Sequence, residues 1–273
     1  CKESGATLRV VPIDDDGNLI MEEFDRLLHE RTRLVAVTHV SNALGTVNPI
    51  REIAAKAHAV DAVVLVDGAQ SAPHMPVNVG ELGCDFFACS GHKMYGPTGI
   101  GLLYGRAELL DAMPPYQSGG DMILSVTFEQ TIYGRLPNKF EAGTPHIEGA
   151  IGLAAALDYL NALGLDRIAA HERGLIRYAE SALRAVPGLR LIGAPRQRAG
   201  VIAFTMDTAH PHDIGQVLDE AGVAIRAGHH CAQPVMQRFG LPASARASFG
   251  LYNTRDDVDM LVKALYEVNR IFA

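Results

Sequence analysis

The stretch that decides the fold covers residues 63–93 and reads VVLVDGAQSAPHMPVNVGELGCDFFACSGHK. It contains two short apolar runs, Val63–Val66 and Phe86–Cys89, and polar and glycine residues follow each run at once. Continuous apolar runs of this length predict strands that are buried on both faces of a parallel sheet. Because ligands bind beyond the carboxyl ends of such strands, the polar residues after each run are candidates for a functional site.

The same pattern extends outward on both sides of this stretch. Leu34–Val37 and Gly99–Tyr104 predict two more strands, and Leu8–Val11 predicts a short one near the start. Ile50–Val60, which Pro49 precedes, predicts a helix between two strands. Strands that alternate with helices are typical of βαβ units. The sequence therefore predicts an α/β fold with a mainly parallel sheet.

The chain returns to alternating helices and strands after an irregular segment, Met113–Pro145. The predicted elements include helices over Pro145–Leu163 and Asp166–Val186 and strands over Val223–Arg226 and Ser248–Leu251. We expect a large domain over residues 1–150, followed by a linking helix and a smaller C-terminal α/β domain over residues 151–273.

Composition excludes several classes of protein. The 273 residues are 48% hydrophobic and 20% charged, which fits a globular chain with a sizeable core. A formal net charge of −7 argues against nucleic-acid binding. No apolar run approaches the roughly 20 residues of a membrane span. The four cysteines form no C-x-x-C pair, so we expect a reducing, cytoplasmic compartment and no metal site.

Asp67 and Lys93 follow two different predicted strands and would converge on one crevice. Taken alone, an aspartate at a strand end is more often a turn residue, and a loop lysine is usually solvated. Together they are the groups that pyridoxal phosphate requires, since a lysine amine binds it covalently and a carboxylate holds its ring nitrogen protonated. Neighbouring hydroxyl and imidazole groups can bind its phosphate.

Several motifs carry a resemblance to a known family. They are VDGAQ at Val66–Gln70, SGHK at Ser90–Lys93, GPTG at Gly96–Gly99, EAGTP at Glu141–Pro145, RAGHHCAQP at Arg226–Pro234 and RASFGLYNT at Arg246–Thr254. The set resembles fold-type I, class V aminotransferase-like enzymes. The segment around Cys231 resembles the active-cysteine segment of group II (SufS/CsdA-type) cysteine desulfurases. The resemblance covers essentially the whole chain and implies the fold of that family.

The resemblance also implies roles for individual residues. Lys93 would bind the cofactor and move the substrate Cα proton, and Cys231 would be the nucleophile. The other implied contacts are Asp67 with the pyridinium nitrogen, Gln70 with the ring hydroxyl, Ser90 and His92 with the phosphate, Thr144 with the phosphate of the neighbouring subunit's cofactor, and Asn42 and Arg246 with the substrate carboxylate. Cationic groups at His229, His230 or Arg226 should favour the thiolate of Cys231.

The activity that the resemblance implies is the conversion of L-cysteine to L-alanine with a persulfide on Cys231, which supplies sulfur for iron–sulfur cluster assembly. The implied partners are a sulfur-acceptor protein of the SufE/SufU type and a second copy of the chain, in a homodimer with shared sites. The alternatives are a selenocysteine lyase acting on L-selenocysteine, another class V enzyme, or a truncated inactive chain. Cys231 could instead be a buried apolar residue, and His229–Cys231 could bind a metal.

One departure concerns the start of the chain. Family members have a section before the position of Cys1 that supplies a histidine stacked on the cofactor ring and a phosphate-binding turn at a helix N-terminus. Residues 1–273 contain neither, so the sequence is expected to lack this N-terminal section. A molecule without it would bind the cofactor weakly.

Overall fold

The structure, a computed structural model, describes residues 1–272. Its first part is a sheet with the strand order β1-β2-β3-β4 and helices between the strands. The elements are α1 (Met21–Leu27), β1 (Leu34–Thr38), α2 (Ile50–His58), β2 (Val63–Asp67), α3 (Val79–Leu82), β3 (Phe86–Ser90), β4 (Gly101–Gly105) and α4 (Ala107–Ala112). Strands β1, β2 and β3 are parallel, and β4 is antiparallel to β3. The mainly parallel sheet is therefore confirmed.

Helix α2 covers one face of this sheet. Its apolar residues Ile50, Ala54 and Ala57 follow helical spacing and pack with Val64 and Val66 of β2 in one buried cluster. Since side chains alternate along a strand, the neighbouring residues of β2 face the other way. Burial against α2 thus fixes the face on which the last residue of β2, Asp67, is presented.

The second part of the chain forms an antiparallel sheet in the order β7-β8-β10-β9. The elements are β5 (Ile123–Val126), β6 (Thr131–Tyr133), α5 (Ile147–Leu163), α6 (Leu165–Arg184), β7 (Leu189–Leu191), β8 (Val201–Met206), α7 (Pro211–Glu220), β9 (Arg226–Gly228), α8 (Gln233–Arg238), β10 (Ser244–Ser248) and α9 (Arg255–Phe272). Helices α6, α7 and α9 bury their apolar faces with this sheet. Its separate core supports our proposal of a smaller domain over residues 151–273, beside a large one over residues 1–150.

Three predicted strands are wrong or displaced. Leu8–Val11 forms no strand, because no strand within residues 1–272 pairs with it. The strands predicted at Val223–Arg226 and Ser248–Leu251 instead cover Arg226–Gly228 and Ser244–Ser248. Pairing between these two strands sets the register, with Arg226 opposite Arg246, and apolar composition does not encode such pairing.

The helices of residues 1–272 do not meet the requirements of a bilayer span. None of them combines enough length with enough apolar character to cross a membrane.

Candidate active site

The carboxyl edge of the parallel sheet brings together residues from three strands. Thr38, Asp67 and Ala88 lie side by side in register at the ends of β1, β2 and β3. Ser90 lies two residues beyond Ala88, so its side chain shares the face that carries Asp67. Lys93 ends the short 3-10 turn that follows Ser90 directly. The predicted meeting of these strand ends at one edge is what the structure shows.

The turn after β2 is shaped by close packing. The Oδ1 atom of Asp67 accepts a hydrogen bond from the backbone N–H of Ala69 at 2.9 Å. Gln70 lies half-buried in the same turn. A Cβ added at Gly68 would lie 1.8 Å from Cζ of Phe87. Only glycine therefore fits between the Phe87 ring and the turn that carries Asp67 and Gln70.

Replacing Gly68 with alanine is expected to lower the free energy of unfolding by about 1–3 kcal/mol, because the Phe87 ring must shift. Gly174 on α6 is the matched control, since no heavy atom lies within 4 Å of its added Cβ. Gly174→Ala should stabilise the helix by roughly 0.5–1 kcal/mol. Denaturant unfolding measures both changes, and equal changes in the two variants would contradict the packing argument.

The loop after β3 is closed by its own backbone. Gly91 N–H donates to the carbonyl of Ile100 at 2.9 Å, and Gly96 N–H donates to the carbonyl of Gly91 at 3.0 Å. His92 and Lys93 are both exposed on this loop. A short backbone-closed loop therefore carries Lys93 at the edge where β2 and β3 end.

Tyr95 lies on this loop with a φ of 62° and was not singled out by the sequence. Its hydroxyl accepts a hydrogen bond from Leu251 N–H at 3.3 Å. Burial raises the pKa of Tyr95, so the neutral hydroxyl is favoured. Tyr95 thereby connects the lysine loop to the turn that follows β10.

Thr144 belongs to the segment between β6 and α5. It is exposed in the loop before α5. Two residues further on, the His146 ring lies against Gly99 of the glycine-containing loop. Whether Thr144 serves the site of a neighbouring subunit stays a prediction.

Cys231 lies on a strained turn between β9 and α8. His230 and Cys231 have φ values of 55° and 56°, in the left-handed region. Non-glycine residues there cost on the order of 1–3 kcal/mol each, and such positions cluster at functional sites. The Cys231 thiol is free and exposed. The structure therefore does not support the reading of Cys231 as a buried apolar residue.

Two side chains hold this turn in place. Asn42 Nδ2 donates to the carbonyl oxygen of His230 at 2.6 Å. On the other side, His230 Nε2 lies 2.9 Å from Ser244 Oγ and 3.1 Å from the Ser244 carbonyl oxygen. Asn42 belongs to the loop after β1, whose last residue Thr38 lies beside Asp67. The contact therefore holds the Cys231 turn against the loop that follows β1.

His230 does not supply the positive charge expected near Cys231. The side chain is 2% exposed. Burial, helped by the nearby charge of Arg246, lowers the pKa of His230 to about 4. His230 is therefore neutral near pH 7, and among the expected cations only His229 and Arg226 are left. Its role in the structure is to anchor the turn.

The pKa of His230 predicts an acid-sensitive fold. Between pH 6.5 and about 4 the unfolded chain binds a proton at this residue and the folded chain does not, so the free energy of unfolding falls as the pH falls. The full effect is on the order of 3 kcal/mol. Urea unfolding across this range should give a shallower pH profile for His230→Asn. Parallel profiles for the two proteins would contradict the assignment.

Arg246 and Arg226 bring two guanidinium groups together on neighbouring strands. They are paired across β10 and β9, so their side chains share one face. Arg246 Nη1 donates to the backbone carbonyl of Asn42 at 2.6 Å, whereas its buried Nε has no hydrogen-bond partner within residues 1–272. Burial, with the nearby charge of Arg226, lowers the pKa of Arg246. An incoming carboxylate would satisfy this guanidinium, and the structure places the two predicted carboxylate ligands, Asn42 and Arg246, in contact.

The metal-binding alternative for His229–Cys231 has no support in the described part of the chain. No group of three histidine, cysteine or acidic side chains there could hold a metal ion. His210 and His212 stack on each other, with ring centroids 5.4 Å apart. His210 Nδ1 also accepts from His212 N–H at the start of α7, so this pair caps a helix.

Ser244 was missed by the sequence reasoning. It is completely buried and contacts the His230 ring. Its surroundings, Pro242-Ala243-Ser244-Ala245, contain no polar motif that would single it out. Its contact depends on the pairing of β10 with β9.

Comparison with known proteins supplies the family. The sequence profile described as "Aminotransferase class-V" matches residues 1–261. The chain belongs to the class-V aminotransferase family. A cysteine desulfurase of Dickeya dadantii (strain 3937) is 57% identical over 268 residues, and a probable cysteine desulfurase of Mycobacterium leprae (strain TN) is 51% identical over 266 residues. A crystal structure of the cysteine desulfurase CsdA (S-sulfonic acid) from Escherichia coli has a TM-score of 0.96 at 39% identity.

This class-V chain is shorter than the proteins it matches. The alignments cover 98% and 97% of the chain but only 65% of the Dickeya protein and 44% of the Mycobacterium protein. The structural match covers 100% of the chain and 68% of the Escherichia coli chain. The chain thus spans about two thirds or less of these relatives.

Class-V aminotransferases use pyridoxal phosphate, and the donor groups of this site fit that cofactor. A carboxylate from β2, a hydroxyl at the end of β3, and an imidazole and an exposed amine on the turn after β3 lie at one sheet edge. These groups match a cofactor with a basic ring nitrogen, an aldehyde and a phosphate. The residues that would hold it are Asp67, Gln70, Ser90, His92 and Lys93.

Proposed function

We propose that the protein is a pyridoxal-phosphate-dependent cysteine desulfurase that converts L-cysteine to L-alanine and leaves the sulfur as a persulfide on Cys231. One observation carries the proposal: Asn42, in the loop after the strand that pairs with the Asp67 strand, holds the turn that carries the exposed Cys231 thiol. The relatives named cysteine desulfurase support it. An aminotransferase would have no use for a thiol at this position.

Different residues of the site would bind the cofactor and the substrate. Asp67 would keep the cofactor's ring nitrogen protonated and Gln70 would bind the ring hydroxyl, while Ser90 and His92 would bind the phosphate. Lys93 would attach the cofactor and move the proton at the substrate Cα. When bound, the cofactor supplies an electron sink for negative charge on the substrate carbons. Asn42 and Arg246 would hold the substrate carboxylate, for which a planar guanidinium is suited.

Sulfur transfer follows from these placements. The Cys231 thiolate attacks the sulfur of bound L-cysteine, and a sulfur–sulfur bond forms. The Cβ–S bond of the substrate breaks, and its electron pair stays on the carbon side. Protonation of Cβ and return of a proton to Cα, which Lys93 would carry out, complete L-alanine. No external oxidant or reductant is needed, because the substrate carbon gains the electrons that the two sulfurs lose.

The surface supports proposals about partners. Thr144 is exposed, and we place it at the cofactor phosphate of a second copy in a homodimer. The hairpin formed by β5 and β6 has a fully exposed Phe128 at its turn, and Leu124 and Val126 are largely exposed. We propose that a sulfur-acceptor protein of the SufE/SufU type docks on this hairpin.

The proposed chemistry requires a free thiol at Cys231, and thiols stay reduced in the cytoplasm. We therefore assign the protein to the cytoplasm.

The test is the release of L-alanine from L-cysteine by the protein loaded with pyridoxal phosphate. Cys231→Ser should abolish the release, whereas Cys1→Ser, which removes another exposed free thiol, should not change it. Retained release in Cys231→Ser would overturn the role of Cys231. Activity confined to L-selenocysteine would favour a selenocysteine lyase instead.

A further inference from the structure

Asn42 connects two parts of the site. Its side-chain Nδ2 donates to the carbonyl oxygen of His230, next to Cys231, at 2.6 Å. Its backbone carbonyl accepts from Arg246 Nη1, also at 2.6 Å. Asn42 therefore lies between the nucleophile's turn and the guanidinium that would bind the substrate carboxylate.

Asn42 and Arg246 each have a hydrogen-bond donor that is left for an anion. The Nδ2 atom carries two hydrogens, and one contact of this nitrogen, to His230, is seen within residues 1–272. Arg246 Nε is buried and lacks a partner in the same part of the chain. A carboxylate accepts several hydrogen bonds at once. The second Nδ2 hydrogen and Arg246 Nε belong to two residues in contact and are both left for an anion.

The Cys231 turn depends on such anchors. His230 and Cys231 both adopt the left-handed backbone conformation, which side chains disfavour. Contacts from Asn42 on one side and Ser244 on the other fix the position of His230. A change at either anchor should therefore loosen the turn that carries the thiol.

We propose that Asn42 is a positioning residue that couples binding of the substrate carboxylate to the placement of Cys231. A carboxylate bound to Arg246 also takes the second N–H of Asn42 and fixes its amide group. The first N–H then holds the His230 carbonyl more firmly, so the Cys231 turn is more rigid when the substrate carboxylate is bound. This inference rests on the proposed function, because it assigns the carboxylate and the thiol to one reaction.

Hydrogen exchange of the peptide that contains His229–Ala232 tests the coupling without turnover. Propionate is the probe, because it has the carboxylate but no amine, and propionamide is its uncharged control. In the cofactor-loaded protein, propionate should slow exchange of this peptide by about threefold or more, and propionamide should not. In Asn42→Ala, exchange should be faster without propionate and unaffected by it.

Ser244→Ala is the matched variant, because it removes the Oγ contact with His230, keeps the Ser244 carbonyl contact and leaves Asn42 intact. Its exchange should be faster, yet propionate should still slow it. Protection by propionate that survives in Asn42→Ala, or that is absent from the unaltered protein, would overturn the coupling.

Kinetics give a second readout. Loss of carboxylate binding alone would raise KM and leave kcat unchanged, whereas misplacement of Cys231 also lowers kcat. For Asn42→Ala we expect kcat with L-cysteine to fall by about tenfold or more. An unchanged kcat contradicts the coupling.

The two proposals fail in different ways. If L-alanine forms but the exchange pattern is absent, the coupling alone fails. If the exchange pattern is present and no L-alanine forms, the proposed function alone fails.

Discussion

Lys93→Ala is expected to reduce L-alanine formation from L-cysteine by at least about 10²–10⁴-fold, because the Cα proton loses the group that moves it. The exposed Lys93 is the lysine that the structure places beside the Asp67 edge. Lys263, an exposed lysine on α9, is the matched control, and Lys263→Ala should retain full activity. L-alanine can be quantified directly after incubation of each protein with L-cysteine.

Covalent attachment of the cofactor gives an independent check on Lys93. Borohydride reduction of the loaded protein, followed by peptide mass spectrometry, should find the cofactor on the peptide that contains Lys93. Attachment to another lysine, or activity of Lys93→Ala equal to that of Lys263→Ala, would rule out the assigned role.

Arg246→Lys is expected to lower kcat/KM for L-cysteine by roughly 30- to 1000-fold, which corresponds to about 2–4 kcal/mol. The guanidinium donates to the Asn42 carbonyl and still has a buried Nε for the substrate. A lysine ammonium cannot make both contacts with the same geometry. Steady-state kinetics over a range of L-cysteine concentrations measure the loss, most of which should be an increase in KM.

The control for Arg246 is an arginine with an exposed ion pair. Arg26 pairs with Glu23 on the surface of α1, and such exposed pairs contribute little to stability. Arg26→Lys should leave the kinetics unchanged. A similar result for Arg246→Lys would mean that the guanidinium does not bind the carboxylate.

The sheet and its edge could be predicted from the sequence because strands that are buried on both faces consist of continuous apolar runs. Apolar runs such as Val63–Val66 are needed where helices cover a parallel sheet, and the residue after each run must lie at the edge. The sequence predicts for this reason that Asp67 and Lys93 lie at the same edge.

The conformation of the Cys231 turn could not be predicted from local sequence patterns. Its key contact joins Asn42 to His230 across 188 positions of sequence, and no local pattern encodes that pairing. The neutral state of His230 depends on burial that only the assembled fold creates. The displaced strands β9 and β10 have the same origin, since their register is set by pairing between them.

The central claim, that Cys231 receives the sulfur at the site of Asp67 and Lys93, is tested most directly by mapping the sulfur after a single turnover with L-cysteine. Peptide mass spectrometry should find one added sulfur atom on the Cys231 peptide and none on the peptides of the other cysteines. Burial raises the pKa of the Cys84 and Cys89 thiols, which disfavours their reaction. Added sulfur on Cys1, Cys84 or Cys89, or L-alanine release with no sulfur on Cys231, would contradict the account.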